Sequence, residues 1–152
     1  MTVITPINVA DITKAVVDQL RNDTRLAGTA VTRSEDENID PNSCPWIGVY
    51  RLAVRYPQRQ LVSAAGFRGQ HVQLLILITQ ADQGSGEACE DALEELVQNT
   101  LSSLLSDTTL QGMVQFLDEF EVDYTRYTRS GHHYMQTAAI QFTAITNTTI
   151  GG

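Results

Sequence analysis

The sequence predicts an α+β fold: a mainly antiparallel or mixed β-sheet with two amphipathic helices packed on one face. Three observations carry this prediction. Two stretches place apolar residues at helical spacing. Two others alternate apolar and polar residues over a long run. The order is helix, strands, long central strand, helix, two strands, without the βαβα repeat of a parallel fold.

The first helix is predicted over about residues 8–23, after Pro6-Ile7. Asn8 can cap it, Asp11 suits its positive end, and Val9, Ile12, Val16 and Leu20 form a stripe flanked by Ala15. It should end at Asn22-Asp23, and residues 27–32 read as a turn into a short strand. Residues 35–45 (EDENIDPNSCP) are a polar loop. Trp46 to Tyr56 is β-branched and aromatic, hence a strand; Pro57-Gln58-Arg59 interrupts it, and Leu61 to Phe67 is expected to pair across the break.

Gln70 to Ala81 is the clearest strand. Val72, Leu74, Ile76 and Ile78 share one face, and Leu75 and Leu77 the other. Apolar residues on both faces imply a central strand, covered on both sides or buried in an assembly. The second helix is predicted over about 86–106 with Ser85 as its cap. Cys89, Leu93, Leu96, Val97, Thr100, Leu101, Leu104 and Leu105 form its apolar face, and Glu94, Glu95 and Gln98 its polar one. Met113 to Thr125 and His133 to Asn147 alternate with period 2. In the first, the even positions Val114, Phe116, Phe120, Val122 and Tyr124 are apolar, which puts Asp118 on the apolar face. The connection from Arg126 to His132, with Gly131, should form a hairpin loop.

A length of 152 residues is expected to make one domain spanning 1–152, with a mobile C-terminal tail at about 147–152. The opening segment lacks a basic stretch followed by an apolar run, so no signal peptide is expected. The longest apolar run, Leu74 to Ile78, is far short of the ~20 residues of a membrane helix. Cys44 and Cys89 do not suggest a disulfide framework. An acidic protein of a reducing compartment is expected.

The formal net charge of −8 argues against gripping nucleic acid, because the chain would repel phosphate. The charge is also segregated. Residues 41–81 carry four arginines and no acid, whereas residues 82–123 carry eleven acids and no Lys or Arg. Lys14 is the only lysine against nine arginines. Arginine pairs bidentately with carboxylates and is favoured at protein interfaces. The bias therefore points either to a complementary acidic surface on another copy or protein, or to ordinary solvated charge.

No constellation for catalysis stands out. His132-His133 are adjacent, and neighbours on a strand face opposite ways, so the pair cannot easily chelate one metal. Gly84-Ser85-Gly86 lacks the lysine of a phosphate loop, and Glu87, Glu90 and Asp91 beside it would repel phosphate. Asp118, Glu119 and Glu121 crowd one strand. An Asp118 on the apolar face would be either a general acid or base, or the partner of Arg51 or Arg55. No metal, cofactor or enzymatic activity is expected.

Taken together, several segments resemble the tail terminator (tail completion) proteins of tailed bacteriophages. They are the opening helix ITKAVVDQLRND with its short strand and polar loop, CPWIGVYRLAVRY, and PQRQLVSAAGFRGQ leading into HVQLLILITQA. The helix EACEDALEELVQNTLSSLL and the strands MVQFLDEFEVDYT and YMQTAAIQFTAIT complete the set. The match covers about residues 8–147 and is one of size, order and pattern, without a diagnostic short motif. Other neck proteins, such as connector or stopper subunits, share the pattern, and a small enzyme or ligand-binding domain is the remaining class. The resemblance implies a homo-hexameric ring in the virion, assembled in the host cytoplasm. The ring caps the tail tube, ends its polymerisation and joins it to the head-side neck protein. Genome DNA passes through the lumen without specific binding, and no membrane is involved.

A closed ring needs two different complementary patches on each subunit. Arg51, Arg55, Arg59 and Arg68 on one side, and Glu87, Glu90, Glu94 and Glu95 on the other, are the candidate subunit or tail-tube interface. Asp118, Glu119, Glu121 and Asp123 are candidates for an acidic lumen that repels sliding DNA.

Overall fold

The computed structural model describes residues 8–33, 40–55, 67–125 and 127–149. Helix α1 spans Val9–Arg21, where the Asn8 side chain accepts from the Ala10 N–H at 2.9 Å. It ends where the Asn22 N–H reaches Asp18 O. Its buried residues are Ile12, Thr13, Val16, Val17 and Leu20. The predicted stripe is therefore the face that packs. A single 3₁₀ turn leads into strand β1, Ala30–Arg33, and another, Pro41–Ser43, precedes β2, Trp46–Arg55. Pro6, Ile7, residues 35–39, Arg59 and residues 61–66 lie outside the described residues.

Strand β3 runs Phe67–Asp82 and helix α2 Gly86–Ser106, capped by Ser85 Oγ accepting from the Ala88 N–H at 3.0 Å. Strands β4 (Phe116–Tyr124), β5 (Thr128–Ser130) and β6 (His133–Thr149) complete the chain. Strand β6 thus reaches into the expected C-terminal tail: residues 147–149 pair with 69–67. The hairpin foreseen at 126–132 contains β5, which folds back on β6 through Gly131 and His132.

The sheet order is β1-β2-β3-β6-β4, with β5 also on β6. Only β1 and β2 are parallel; the other pairs are antiparallel. This is the mixed α+β sheet that the sequence predicts. One face meets the helices. It presents Ile47 and Val49 of β2, Val72, Leu74, Ile76 and Ile78 of β3, and Ala138, Ile140, Phe142 and Ala144 of β6, all buried. Helix α2 lies over β3 and β6, and α1 over β1 and β2. Burying one such Leu or Ile side chain contributes roughly 1.5–3 kcal/mol, so this layer holds the fold.

Two β-bulges correct the sequence reading. In β4 the register shifts between Asp118, opposite Thr143, and Glu121, opposite Gln141. Two residues therefore face one, and Glu119 takes a left-handed φ of 57°. The bulge inverts the alternation. Leu117 turns inward, and Asp118 lies exposed on the face away from the helices rather than on the apolar face. Phe116 turns outward as well and is 37 % exposed, while Tyr124 stays on the helix side but is 52 % exposed at its edge. In β2 the register shifts between Arg51 and Ala53. One further expectation fails: Leu105, assigned to the apolar face of α2, is 59 % exposed near the helix end.

Trp46, Gly48 and Tyr50 share the open face of β2, and the Trp46 indole covers Gly48. A β-carbon on Gly48 would meet Trp46 Cζ2 at 2.7 Å and Tyr50 Cε2 at 2.9 Å. Replacing Gly48 by Val must therefore lift the indole off the sheet. We expect a red shift in the fluorescence of this single tryptophan and a loss of about 1–3 kcal/mol in urea unfolding. An unshifted spectrum with unchanged stability would contradict this packing.

Candidate functional site

The surface that carries the predicted residues is the sheet face away from the helices. At β2 and β3 its residues range from buried (Trp46, Thr79) through half-buried (Tyr50, Leu75, Leu77) to exposed (Leu52). Read across the sheet, its rows follow from the pairing. Gly48 stands beside Leu77 and Ala139, then Asp123. Tyr50 stands beside Leu75 and Gln141, then Glu121. Gln73 stands beside Thr143, then Asp118. The face is thus graded. It is apolar and aromatic at β2 and β3, polar and uncharged at β6, and acidic at β4. Leu52 adds an apolar group that is 49 % exposed.

The bulge in β4 creates the acidic end. It brings Asp118 onto the same face as Glu121 and Asp123, and all four β4 acids are exposed. Glu119 accepts from the Thr143 hydroxyl at 3.4 Å. The bulge in β2 stands in the same row of the sheet. Between the two lies a shallow depression of about 180 Å³, lined by Leu52, Gln73, Gln141, Thr143, Glu119 and Glu121 among others. Period-2 alternation alone does not reveal this juxtaposition. The three-residue step from Leu117 to Phe120 was the signal, because an unbroken strand would space inward residues by two.

The arginines do not form one surface. Arg51 is opposite Leu74, on the helix side, whereas Arg55 is opposite His71, on the open side. The bulge between Arg51 and Ala53 separates them. Arg59 is outside the described residues. Arg68 lies in β3 opposite Thr148. Among the described residues the only ion pair is Arg25–Asp23, at 2.7 Å, and Arg25 holds the Asp23 carboxyl well below the usual carboxylate range. Neither Arg51 nor Arg55 pairs with Asp118.

On α2, Glu87, Glu90, Asp91 and Glu95 are exposed. Glu94 is engaged within the chain. It accepts from the Tyr124 hydroxyl and from Gln98 Nε2, the latter at 3.0 Å. These bonds lower the Glu94 pKa, chiefly through Tyr124, and push the Tyr124 phenol up to about 12. This contact ties the β4 edge to α2, so Glu94 is a positioning group rather than a free interface acid.

The cysteines are not poised for chemistry. Burial, above all, pushes the Cys44 thiol up to about 11 and raises that of Cys89 as well. Both stay protonated at neutral pH, and the thiolate is the form that attacks or binds metal. Cys89 Sγ instead donates to Tyr134 O at 3.4 Å and Gln80 O at 3.5 Å. His133 Nε2 is bonded to Gln83 Nε2 at 2.9 Å. No group of three or more His, Cys, Asp or Glu suited to a metal occurs among the described residues, and no helix there is long and apolar enough to cross a membrane. A depression of about 480 Å³ lies between α1 and the turn at Leu110–Met113 and holds Asp11, Lys14 and Asp18.

No family model and no curated protein matches the chain. Among solved structures, a chain from a structure titled "Virion of native gene transfer agent (GTA) particle" is similar, with a TM-score of 0.45 and 15 % identity. The alignment covers 93 % of this chain and 99 % of that one.

The Glu94–Tyr124 contact yields a pH prediction. A carboxyl whose pKa falls on folding contributes stability above its unfolded pKa, and loses it as pH drops through the folded value. Tyr124→Phe should therefore cost about 0.5–1 kcal/mol at pH 7 and progressively less as pH falls through the carboxylate range. Urea unfolding at several pH values measures it. A cost that persists unchanged at the acid end would show that packing, not the hydrogen bond, is involved.

Proposed function

We propose that this chain is a structural virion protein of the tail terminator kind. It forms a ring that caps the tail tube, stops its growth and joins the tail to the neck. The observation that carries the reading is the graded open face. At β2 and β3 Leu52 is exposed and Tyr50, Leu75 and Leu77 are half-buried, beside exposed acids at β4. Such a face suits an assembly, because apolar surface of this kind is stabilised by a neighbour. The resemblance in size, element order and pattern over residues 8–147 supports the same reading.

In this reading the apolar half of the face is covered by a neighbouring copy or by the tail tube. The β4 half, with Asp118, Glu119, Glu121 and Asp123, stays in water and lines the channel. Like charge keeps the DNA backbone from adhering as it slides. Arg55 on the open face and the exposed α2 acids remain for contacts between subunits. The chain works as one domain, and no catalysis or cofactor enters. The partners are further copies of itself, the tail tube protein and a head-side neck protein.

Addition to polymerising tail tube protein from the same virion tests this directly. We expect tubes to stop elongating and to carry a ring at one end by negative-stain microscopy. Tubes that elongate as fast as without the protein would contradict the terminator role. A ring that binds portal-side components and leaves tubes growing would identify a connector or stopper instead.

A further inference from the structure

A second surface lies on the helix side, away from the open face. Between the start of α1 and the β1–β2 edge is a cleft of about 280 Å³ lined by Ala10, Thr13, Arg33 and Arg51. Among the described residues its lining holds two guanidinium groups and no carboxylate. Arg33 makes one long hydrogen bond, Nη1 to Ala10 O at 3.5 Å, and Arg51 has no ion pair among the described residues. The first turn of α1 adds the positive end of its dipole. Lys14 and Arg21, with Asp18 between them, line the adjoining cleft, which shares Arg33. Arg21 is occupied, donating to Val31 O at 2.7 Å.

The opposite flank of the helix layer is acidic. Glu90, Asp91 and Glu94 border a cleft with Tyr124 and Gln136, on the β4 side. Helix α2 has no Lys or Arg anywhere along its length. The chain therefore has a basic cleft at one edge and an acidic helix flank at the other. β1 and β4 are the two ends of the strand order.

We infer that the Arg33–Arg51 cleft receives the α2 carboxylates of a second copy, chiefly Glu90 and Asp91. This deepens the ring reading above and rests on it. Because the two patches differ and lie at opposite edges, the contact is head-to-tail, and repetition closes a ring or runs on as a filament. Two copies cannot meet acid to acid, since like charges facing one another are repelled. The β4 acids take no part and stay free for the channel.

Three proteins test this: the wild type, a variant with Arg33→Glu and Arg51→Glu, and one with Glu90→Lys and Asp91→Lys. Circular dichroism confirms that each is folded, and sedimentation velocity measures association at low and high salt. We expect the wild type to associate, more weakly in high salt. Each variant alone should lose at least about tenfold in association constant, or roughly 1.4 kcal/mol. A mixture of the two should recover assembly, because each reversed patch then meets a reversed partner.

Wild-type association that survives both variants would overturn the cleft assignment while leaving the ring reading standing. A wild type that stays monomeric at all concentrations and salts, and adds nothing to tail tubes, would overturn both. If the arginine variant loses only duplex DNA binding in a mobility shift, the cleft takes phosphate and the proposal fails. If it loses stability but not association, the two arginines serve a contact within the chain, and the proposal fails again.

Discussion

β3 and β6 pair from Phe67 with Thr149 to Asp82 with Tyr134 without a register shift, and the rest of the chain is placed by that ladder. β2 and β4 attach to its two sides, and α2 lies along it. The even residues from Val72 to Ile78 and from Ala138 to Ala144 point to the helices and are buried, so a slip of one residue would expose the core. That constraint also sets the outer face. Leu75, Leu77, Ala139, Gln141 and Thr143 must then point away from the helices, whatever else the protein does.

The two flanking strands keep register with this ladder only by bulging. Both bulges fall in the row of Gln73–Leu74 and Phe142–Thr143. A bulge bends its strand and raises local twist, and two in one row concentrate both effects there. Function follows the same line. The β4 bulge gathers four acids onto the open face, and the β2 bulge turns Arg55 to that face, while Arg51, before the bulge, keeps the helix side with Ile47 and Val49. The open face thereby becomes acidic at one end, and Arg51 stays at the α1 edge.

Much of this was legible in the sequence, and the rest was hidden for a physical reason. The helix periods at Ile12, Val16 and Leu20, and at Leu93, Val97 and Leu104, arise because one stripe meets the sheet. α2 accordingly spans the predicted residues. The double-sided apolar pattern of Leu74 to Ile78 pointed to the central strand, covered on both sides or buried in an assembly. Strand alternation misplaced Asp118 and Phe116, since period-2 reading assumes an unbroken ladder. The parallel pairing of β1 with β2, and the meeting of Arg33 with Arg51, depend on contacts between distant segments that no local pattern records. Charge segregation was visible, but the edges of the sheet to which it maps were not.

The central claim is that the apolar half of the open face is covered on assembly while its acidic half stays in water. Hydroxyl-radical footprinting of the dilute and the assembled protein measures this side chain by side chain. The account predicts that Tyr50, Leu52 and Leu75 lose reactivity in the assembly, whereas Phe116, exposed on the same face beside the β4 acids, keeps its own. Protection of the β4 residues with Tyr50 and Leu52 still reactive would contradict it.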